Sequence, residues 1–365
     1  MKLIKLLKND IVLTASFILA LASCFFVTPD KEYLSYINLP VLVLLFCLML
    51  VVAGLKKAGS FDYLKSLMSL RISSEKTMIL ALCTICFFTS ALITNDVALI
   101  TFVPFSIAIL KNQKSSAIIF CVVMETIAAN LGSQLTPIGN PQNLFLYTYY
   151  DVSVFEFFKI TLPLGLLCAL MILVCILFKK RLPLNSDKTE EKVTIDKKAL
   201  WIFSLLFVIC ILSVLKVISC YITLLIILIC VVIIDKKLLK EADYLLLITF
   251  VFFFIFAGNM ARIPAVYNII AKALSGREIL VSSLISQIIS NVPAATMLSS
   301  FTEDYRSLIL GTNIGGLGTL IASMASLISY RFIAAEKKIS SSKYMFAFSI
   351  FNFSMLLVLL VIFAR

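Results

Sequence analysis

The residues best equipped for chemistry in this chain are Thr94, Asn95 and Asp96, a polar triplet inside the apolar stretch Ser90-Ala-Leu-Ile-Thr-Asn-Asp-Val-Ala98. A hydroxyl, an amide and a carboxyl side by side can ligate a cation, carry a proton or orient a small polar solute. The stretch recurs, altered, as Ser286-Gln-Ile-Ile-Ser-Asn-Val-Pro-Ala294, with Ser290 and Asn291 in the places of Thr94 and Asn95. Thr, Ser and Asn favour helix N-caps, and Pro293 suits the first turn of a helix that follows. Each recurrence therefore reads as a hairpin tip where one helix ends and the next begins. Free N–H groups at such a helix start favour an anion, and carbonyls at the preceding helix end can hold Na⁺.

Downstream of each tip lies a second polar interruption. Ala129-Asn-Leu-Gly-Ser-Gln-Leu-Thr136 is echoed by Thr312-Asn-Ile-Gly-Gly-Leu-Gly-Thr319. The first continues through Pro137, Gly139, Asn140, Pro141 and Asn143, too many helix breakers for a helix that faces lipid. Each backbone group freed in hydrocarbon costs several kcal/mol, so this segment must line a cavity or be buried in protein. Small residues also let membrane helices approach closely. Four polar breaks in two matched pairs outweigh that packing reading and point to a transport site. A second acid, Glu125, also sits in apolar sequence; intramembrane carboxyls serve by default as ion ligands or proton carriers, and here the alternative is a hydrogen bond to the adjacent hairpin.

The elements that must position these residues are membrane spans. The chain has 365 residues, 61% hydrophobic and 14% charged, and apolar runs such as Ile11–Thr28, Phe157–Phe178 and Tyr344–Ala364 are long enough to cross a bilayer. Nine full spans and two hairpins are predicted. The first half, 1–178, holds spans at Ile11–Thr28 and Ile37–Gly54, a hairpin at 77–110, a broken span at 115–146 and the span Phe157–Phe178. A polar linker, 179–198, divides the halves. The second half, 199–365, holds spans at Ala199–Leu215, Ile218–Ile234 and Tyr244–Gly258, a hairpin at 278–301, a broken span at 307–330 and the final span. Leu55–Arg71 and Asn259–Leu274 read as interfacial connecting arms.

Tyr244–Gly258 lies five spans after its counterpart Ile37–Gly54, an odd number, so the two halves have opposite orientation. The expected fold is all-α, with inverted structural repeats, two re-entrant hairpins and two broken helices. Three quarters of the 32 Lys and Arg residues fall on one side, including Lys2, Lys5, Lys8, Lys111 and Lys114. By the positive-inside rule that side is the cytoplasm, which puts the N-terminus inside a cytoplasmic membrane and the C-terminus outside. The net charge of +12 then records orientation, with no nucleic-acid partner implied. The first hairpin opens to the cytoplasm and the second to the outside, their tips approaching at mid-membrane.

The Thr136-Pro-Ile-Gly-Asn-Pro-Gln-Asn143 segment and the two Asn-centred tips resemble the ion-transporter superfamily of divalent anion–sodium symporters, citrate transporters and arsenite permeases. The resemblance covers nearly the whole chain. It implies an elevator-type secondary transporter, usually a homodimer in the lipid bilayer, that carries a small anionic solute. It implies that Asn95, Asp96, Thr136, Pro137, Asn140, Asn143, Asn291 and Thr319 face the substrate. One cation site would use Thr94, Asn95, Gly132, Ser133 and Gly139, the other Ser290, Asn291, Thr312, Asn313 and Gly316. The tips of the symporter branch read Ser-Asn-Thr; here the third position is Asp96 in one and Val292 in the other. Thr-Asn-Asp is more like the arsenite- and citrate-permease side.

The leading expectation is a permease for citrate, a dicarboxylate or an inorganic oxyanion, coupled to Na⁺ or H⁺ through Asp96 or Glu125. The alternative is arsenite efflux or Na⁺/H⁺ exchange. An enzyme is not expected: the chain has no histidine, no phosphate-binding glycine loop and no candidate metal cluster beyond one C-x-x-C, so no cofactor is expected other than Na⁺ or H⁺ as coupling ion. Cys83 and Cys86 form a lone C-x-x-C and read as packing thiols.

Overall fold

The computed structural model describes residues 11–72, 74–184 and 195–364, and these fold into α-helices with short 3-10 turns. Helices α1 (Ile11–Ser23), α2 (Tyr33–Tyr36), α3 (Leu39–Lys57) and α4 (Ser60–Arg71) come first. A helical hairpin follows, α5 (Glu75–Ile93) and α6 (Asn95–Ile109). Then come α7 (Ser115–Gly132), a 3-10 turn at Ser133–Leu135, α8 (Pro141–Tyr149) and α9 (Val154–Leu177). Beyond the linker lie α10 (Lys197–Val214), α11 (Cys220–Asp235), α12 (Tyr244–Ala261) and α13 (Pro264–Leu274). A second hairpin, α14 (Glu278–Ile289) and α15 (Asn291–Leu298), leads to α16 (Tyr305–Ile314), α17 (Met324–Ala335) and α18 (Ser341–Phe363).

Local sequence explains many of the starts. Asn38, Asn140, Asp196, Asp243 and Asp304 each cap a helix by accepting from a backbone N–H three residues on. Pro40 and Pro141 sit in the first turns of α3 and α8, where a missing N–H does no harm.

Among the described residues seven helices are long and apolar enough to cross a membrane, which makes this a multi-pass membrane protein. The seven differ from the nine spans predicted. The first span is a 13-residue helix, because the chain turns through Cys24–Phe26. The span at Ile218–Ile234 shortens to the 16 residues of α11, and the span at 307–330 divides into α16 and α17. Conversely α5, a hairpin arm, is itself long enough to cross. Lys2, Lys5, Lys8 and the linker segment 185–194 lie outside the described residues.

Two hydrophobic cores organise the helices. One joins α5, α6 and α7 with α9, α17 and α18 around Leu82, Phe102, Val123, Ala325 and Tyr344. The other joins α3, α10, α11 and α12 with α8, α15 and α16 around Leu50, Phe145, Phe203, Phe250 and Leu308. The linker ends dock on both. Glu75 N–H donates to Leu182 O at 2.9 Å and Lys179 pairs with Glu75 at 3.2 Å, while Asp196 N–H donates to Ala58 O at 3.2 Å.

Arg262, expected at the interface, ties the end of α12 to the first loop. It meets Asp30 at 2.8 Å, Glu32 at 3.3 Å and the Tyr36 hydroxyl at 3.0 Å. The Arg262 hydrogen bond holds the Asp30 carboxyl below its ordinary value. That contribution is present at neutral pH and is lost only as pH falls through the lowered value.

The first hairpin packs against α7 so closely that a Cβ at Gly132 would overlap the Phe87 carbonyl and sit 2.6 Å from Ser90 Oγ. Gly315 stands in the same relation to Ser286 Oγ of the second hairpin, at 2.7 Å. Because Phe87 O is backbone, no side-chain rotation relieves the first clash. Gly132→Ala should therefore destabilise the protein by about 1–3 kcal/mol or more. Thermal unfolding of purified protein in detergent checks this; an unchanged midpoint would contradict the packing.

Candidate functional site

Both hairpin tips adopt the same unusual backbone. Thr94 has φ 84° and ψ 147°, and Ser290 has φ 77° and ψ 153°, a region that L-residues avoid and glycine favours. The turn aims the first N–H of the next helix at the facing broken segment. Asn95 N–H donates to Gly139 O at 3.3 Å, and Asn291 N–H donates to Ala322 O at 3.0 Å. Gly139 and Ala322 each lie three residues past a threonine of the echoed motif. Those threonines reach back to matching positions as well: Thr136 Oγ1 donates to Ala91 O, and Thr319 Oγ1 donates to Gln287 O at 2.9 Å.

The two breaks also bond to each other. Asn130 Oδ1 accepts from Asn95 Nδ2 at 3.0 Å and from Ser323 Oγ at 2.9 Å, and its Nδ2 donates to Ser326 Oγ at 3.2 Å. Asn313, at the matching place in the second half, donates to Asn143 Oδ1 at 2.8 Å and accepts from Asn140 Nδ2 at 3.5 Å. Each asparagine thus reaches the start of the helix that follows the other break. Gln134 Nε2 adds a bond to Asn313 O at 2.8 Å.

The expected site residues divide accordingly. Asn95, Ser133, Asn140, Asn143, Asn291 and Asn313 are buried and take part in this bonding. Asn143 Nδ2 also satisfies Gln134 O and Thr136 O, at 3.2 and 3.3 Å. Pro137 is buried within the break, and the Asn291 amide lies over Gly316, 2.9 Å from where its Cβ would be. The Thr312 hydroxyl donates to Leu308 O at 2.8 Å within its own helix.

Thr94 and Asp96 are different: they line a cavity of about 330 Å³ between the first tip, α3 and the loop before α12. No hydrogen bond or ion pair joins the Asp96 carboxyl or the Thr94 hydroxyl to another described residue. Val52, Ile100, Ile138 and Leu246 form the apolar wall. Lys56, Glu241 and Asp243 are the other ionisable groups of the lining, so three carboxyl groups and one amine meet there.

Glu125 is fully buried away from that cavity. It accepts from Ser106 Oγ at 2.6 Å and from the thiols of Cys86 and Cys121 at 3.7 and 3.8 Å. Those donors come from α6, α5 and α7, so the carboxyl joins both arms of the first hairpin to the helix behind them.

Sequence reasoning missed several members. Asn130 was available, since it aligns with Asn313 in the echoed motif. Gln287 lies in the repeated tip; it donates to Gly315 O and Leu317 O at 3.0 and 2.9 Å and accepts from Thr319 N at 2.9 Å. Lys56, Glu241 and Asp243 carried no signal, because only folding brings them to the tip.

Comparison with known proteins places this arrangement among transporters. The profile of the family described as citrate transporter matches residues 3–304. A Methanocaldococcus jannaschii protein named as an uncharacterized transporter is 35% identical over 290 residues, 79% of each chain. An Escherichia coli protein named as the inner membrane protein YbiR is 26% identical over 92% of this chain and 91% of its own. A silicon efflux transporter of Oryza sativa is 33% identical over 157 residues, 42% of this chain and 32% of its own.

Two outcomes follow from the geometry. Asn130→Ala strands buried groups of Asn95, Ser323 and Ser326 and should cost about 1–3 kcal/mol, read as a lowered unfolding midpoint in detergent. Thr94→Gly relieves a backbone strain of about 1–3 kcal/mol and should leave that midpoint unchanged or higher while slowing transport. A Thr94→Gly protein that unfolds more easily would show that the tip is not strained.

Proposed function

The chain belongs to the citrate transporter family, and from that premise we propose a secondary transporter of two inverted halves. In this reading the hairpins re-enter the bilayer from opposite sides, and a body made of hairpins and broken helices moves past α3, α10, α11 and α12, elevator fashion. The matched tip bonds and the reciprocal asparagine contacts support the repeat. The orientation is the one expected from charge, with the N-terminus in the cytoplasm, the C-terminus outside and two chains forming a homodimer in the cytoplasmic membrane.

The cargo is a small inorganic oxyacid, carried neutral or singly charged, in preference to citrate. The observation that carries this is the cavity, where Glu241 and Asp243 outnumber Lys56 even when Asp96 holds H⁺ or Na⁺. A carboxylate brought to about 5 Å from one of these acids meets roughly 3 kcal/mol of repulsion at an effective dielectric near 20. A multiply charged citrate meets that repulsion several times over, and one lysine offsets only part of it. A neutral hydroxylated solute meets none and can hydrogen-bond both Thr94 and Asp96. The relative named for silicon efflux supports the same choice.

Asp96 is the coupling carboxyl, holding H⁺ or Na⁺ as the cargo crosses. The cation sites expected at Thr94, Asn95 and the Gly132–Gly139 break, and at Ser290, Asn291 and the Thr312–Gly316 break, stand as part of this proposal. Proteoliposome flux of arsenite, silicate, citrate and succinate under imposed H⁺ or Na⁺ gradients is the test. Wild type should move an oxyacid faster under one gradient, by about tenfold or more for a coupling of 1.4 kcal/mol or above. Asp96→Asn should keep downhill flux and lose the acceleration. Gradient-driven citrate flux with arsenite and silicate inert would overturn the cargo assignment.

A further inference from the structure

A second cavity, of about 390 Å³, lies between the first turns of α7 and α18 on the lysine-rich side of the protein. Its lining joins polar residues, Lys338, Lys343, Ser116 and Ser340, to the aromatic pair Phe120 and Phe351, whose ring centroids are 5.6 Å apart. Ser115 Oγ donates to Lys338 O at 3.3 Å, which brings the two loops together. Neither lysine ammonium has an ion-pair partner among the described residues. No side chain caps the start of α7, and Ser115 and Ser116 of its first turn line the cavity, so the positive end of the helix dipole lies at this corner.

Two unpaired ammonium groups and serine hydroxyls beside an aromatic pair match an amphiphile with an anionic head. The outward face of α18 continues the apolar surface away from the cavity, with Phe346 71% and Ile350 48% exposed. Basic pockets between membrane helices near the surface suit anionic headgroups. We propose that this cavity seats the phosphate of an anionic phospholipid, with Lys338 and Lys343 on the phosphate and the acyl chains along Phe351 and α18. Free phosphate shares the headgroup chemistry but would leave the apolar wall uncovered. The site lies apart from the Asp96 cavity and does not depend on the cargo.

The test is native mass spectrometry of the full-length protein titrated with dioleoyl phosphatidylglycerol, with dioleoyl phosphatidylcholine as the zwitterionic control. The tightest phosphatidylglycerol should bind about 25-fold more weakly to the K338Q/K343Q variant, about fivefold per lysine. K338R/K343R should keep the lipid, and K337Q, which alters an exposed lysine outside the cavity, should leave affinity unchanged. Equal affinity in wild type and K338Q/K343Q would overturn the proposal. So would millimolar inorganic phosphate raising the unfolding midpoint as much as the lipid does, in a lysine-dependent way, because the occupant would then be free phosphate.

Discussion

Two asparagines hold this fold in a form a bilayer can tolerate. A helix broken in hydrocarbon exposes backbone groups that water cannot reach, and each must find a partner inside the protein. Asn130 ends one helix before its break and bonds to Ser323 and Ser326 beyond the other break. Asn313 makes the reverse connection, to Asn140 and Asn143. Each half meets much of its own freed backbone, through Asn143 in the first and Gln287 in the second, and the two asparagines tie the breaks to each other. The tip bonds, Asn95 to Gly139 and Asn291 to Ala322, then hang both hairpins on the same crossing.

Within that shared frame the halves use different chemistry. Gln287 occupies a position whose counterpart is Ala91, and it alone satisfies the carbonyls of Gly315 and Leu317 and the N–H of Thr319. The first break has no such glutamine. Its freed carbonyls at Gln134 and Thr136 are met by Asn143, whose counterpart Ser326 is too short for that task. The third tip position diverges in the same manner: Asp96 opens to a cavity while Val292 packs against the second core. The matched segments share a scaffold, and departures from it decide which tip opens to a cavity.

What could be read from the sequence was whatever recurs or has a strong local cause. The tips at Thr94 and Ser290 and the breaks after Gly132 and Ile314 each stand within a few residues of where polar breaks in apolar sequence put them. Helix length was less legible. Hydropathy does not register the turn at Cys24–Phe26, nor does it separate a hairpin arm such as α5 from a span of the same length. The charged lining of the cavity was out of reach, because Glu241 and Asp243 sit in an ordinary polar loop. Asn140 and Asn143 look like ligands on paper, yet their amide groups are occupied by protein.

The two intramembrane acids show why neighbours matter more than residue type. Asp96 and Glu125 are both carboxyls within apolar stretches, one at a hairpin tip and one inside a helix. Glu125 accepts from Ser106, Cys86 and Cys121, one donor from each of the three helices that meet there. Charge-neutral donors on three sides fix it, and removing the carboxyl would loosen the first hairpin from α7. Asp96 has no such claims on its oxygens and faces open volume. A carboxyl can exchange a proton or a cation with passing solvent only if its oxygens are free and reachable. By that criterion Glu125 ties the first hairpin to α7, and Asp96 is the carboxyl left open at the hairpin tip.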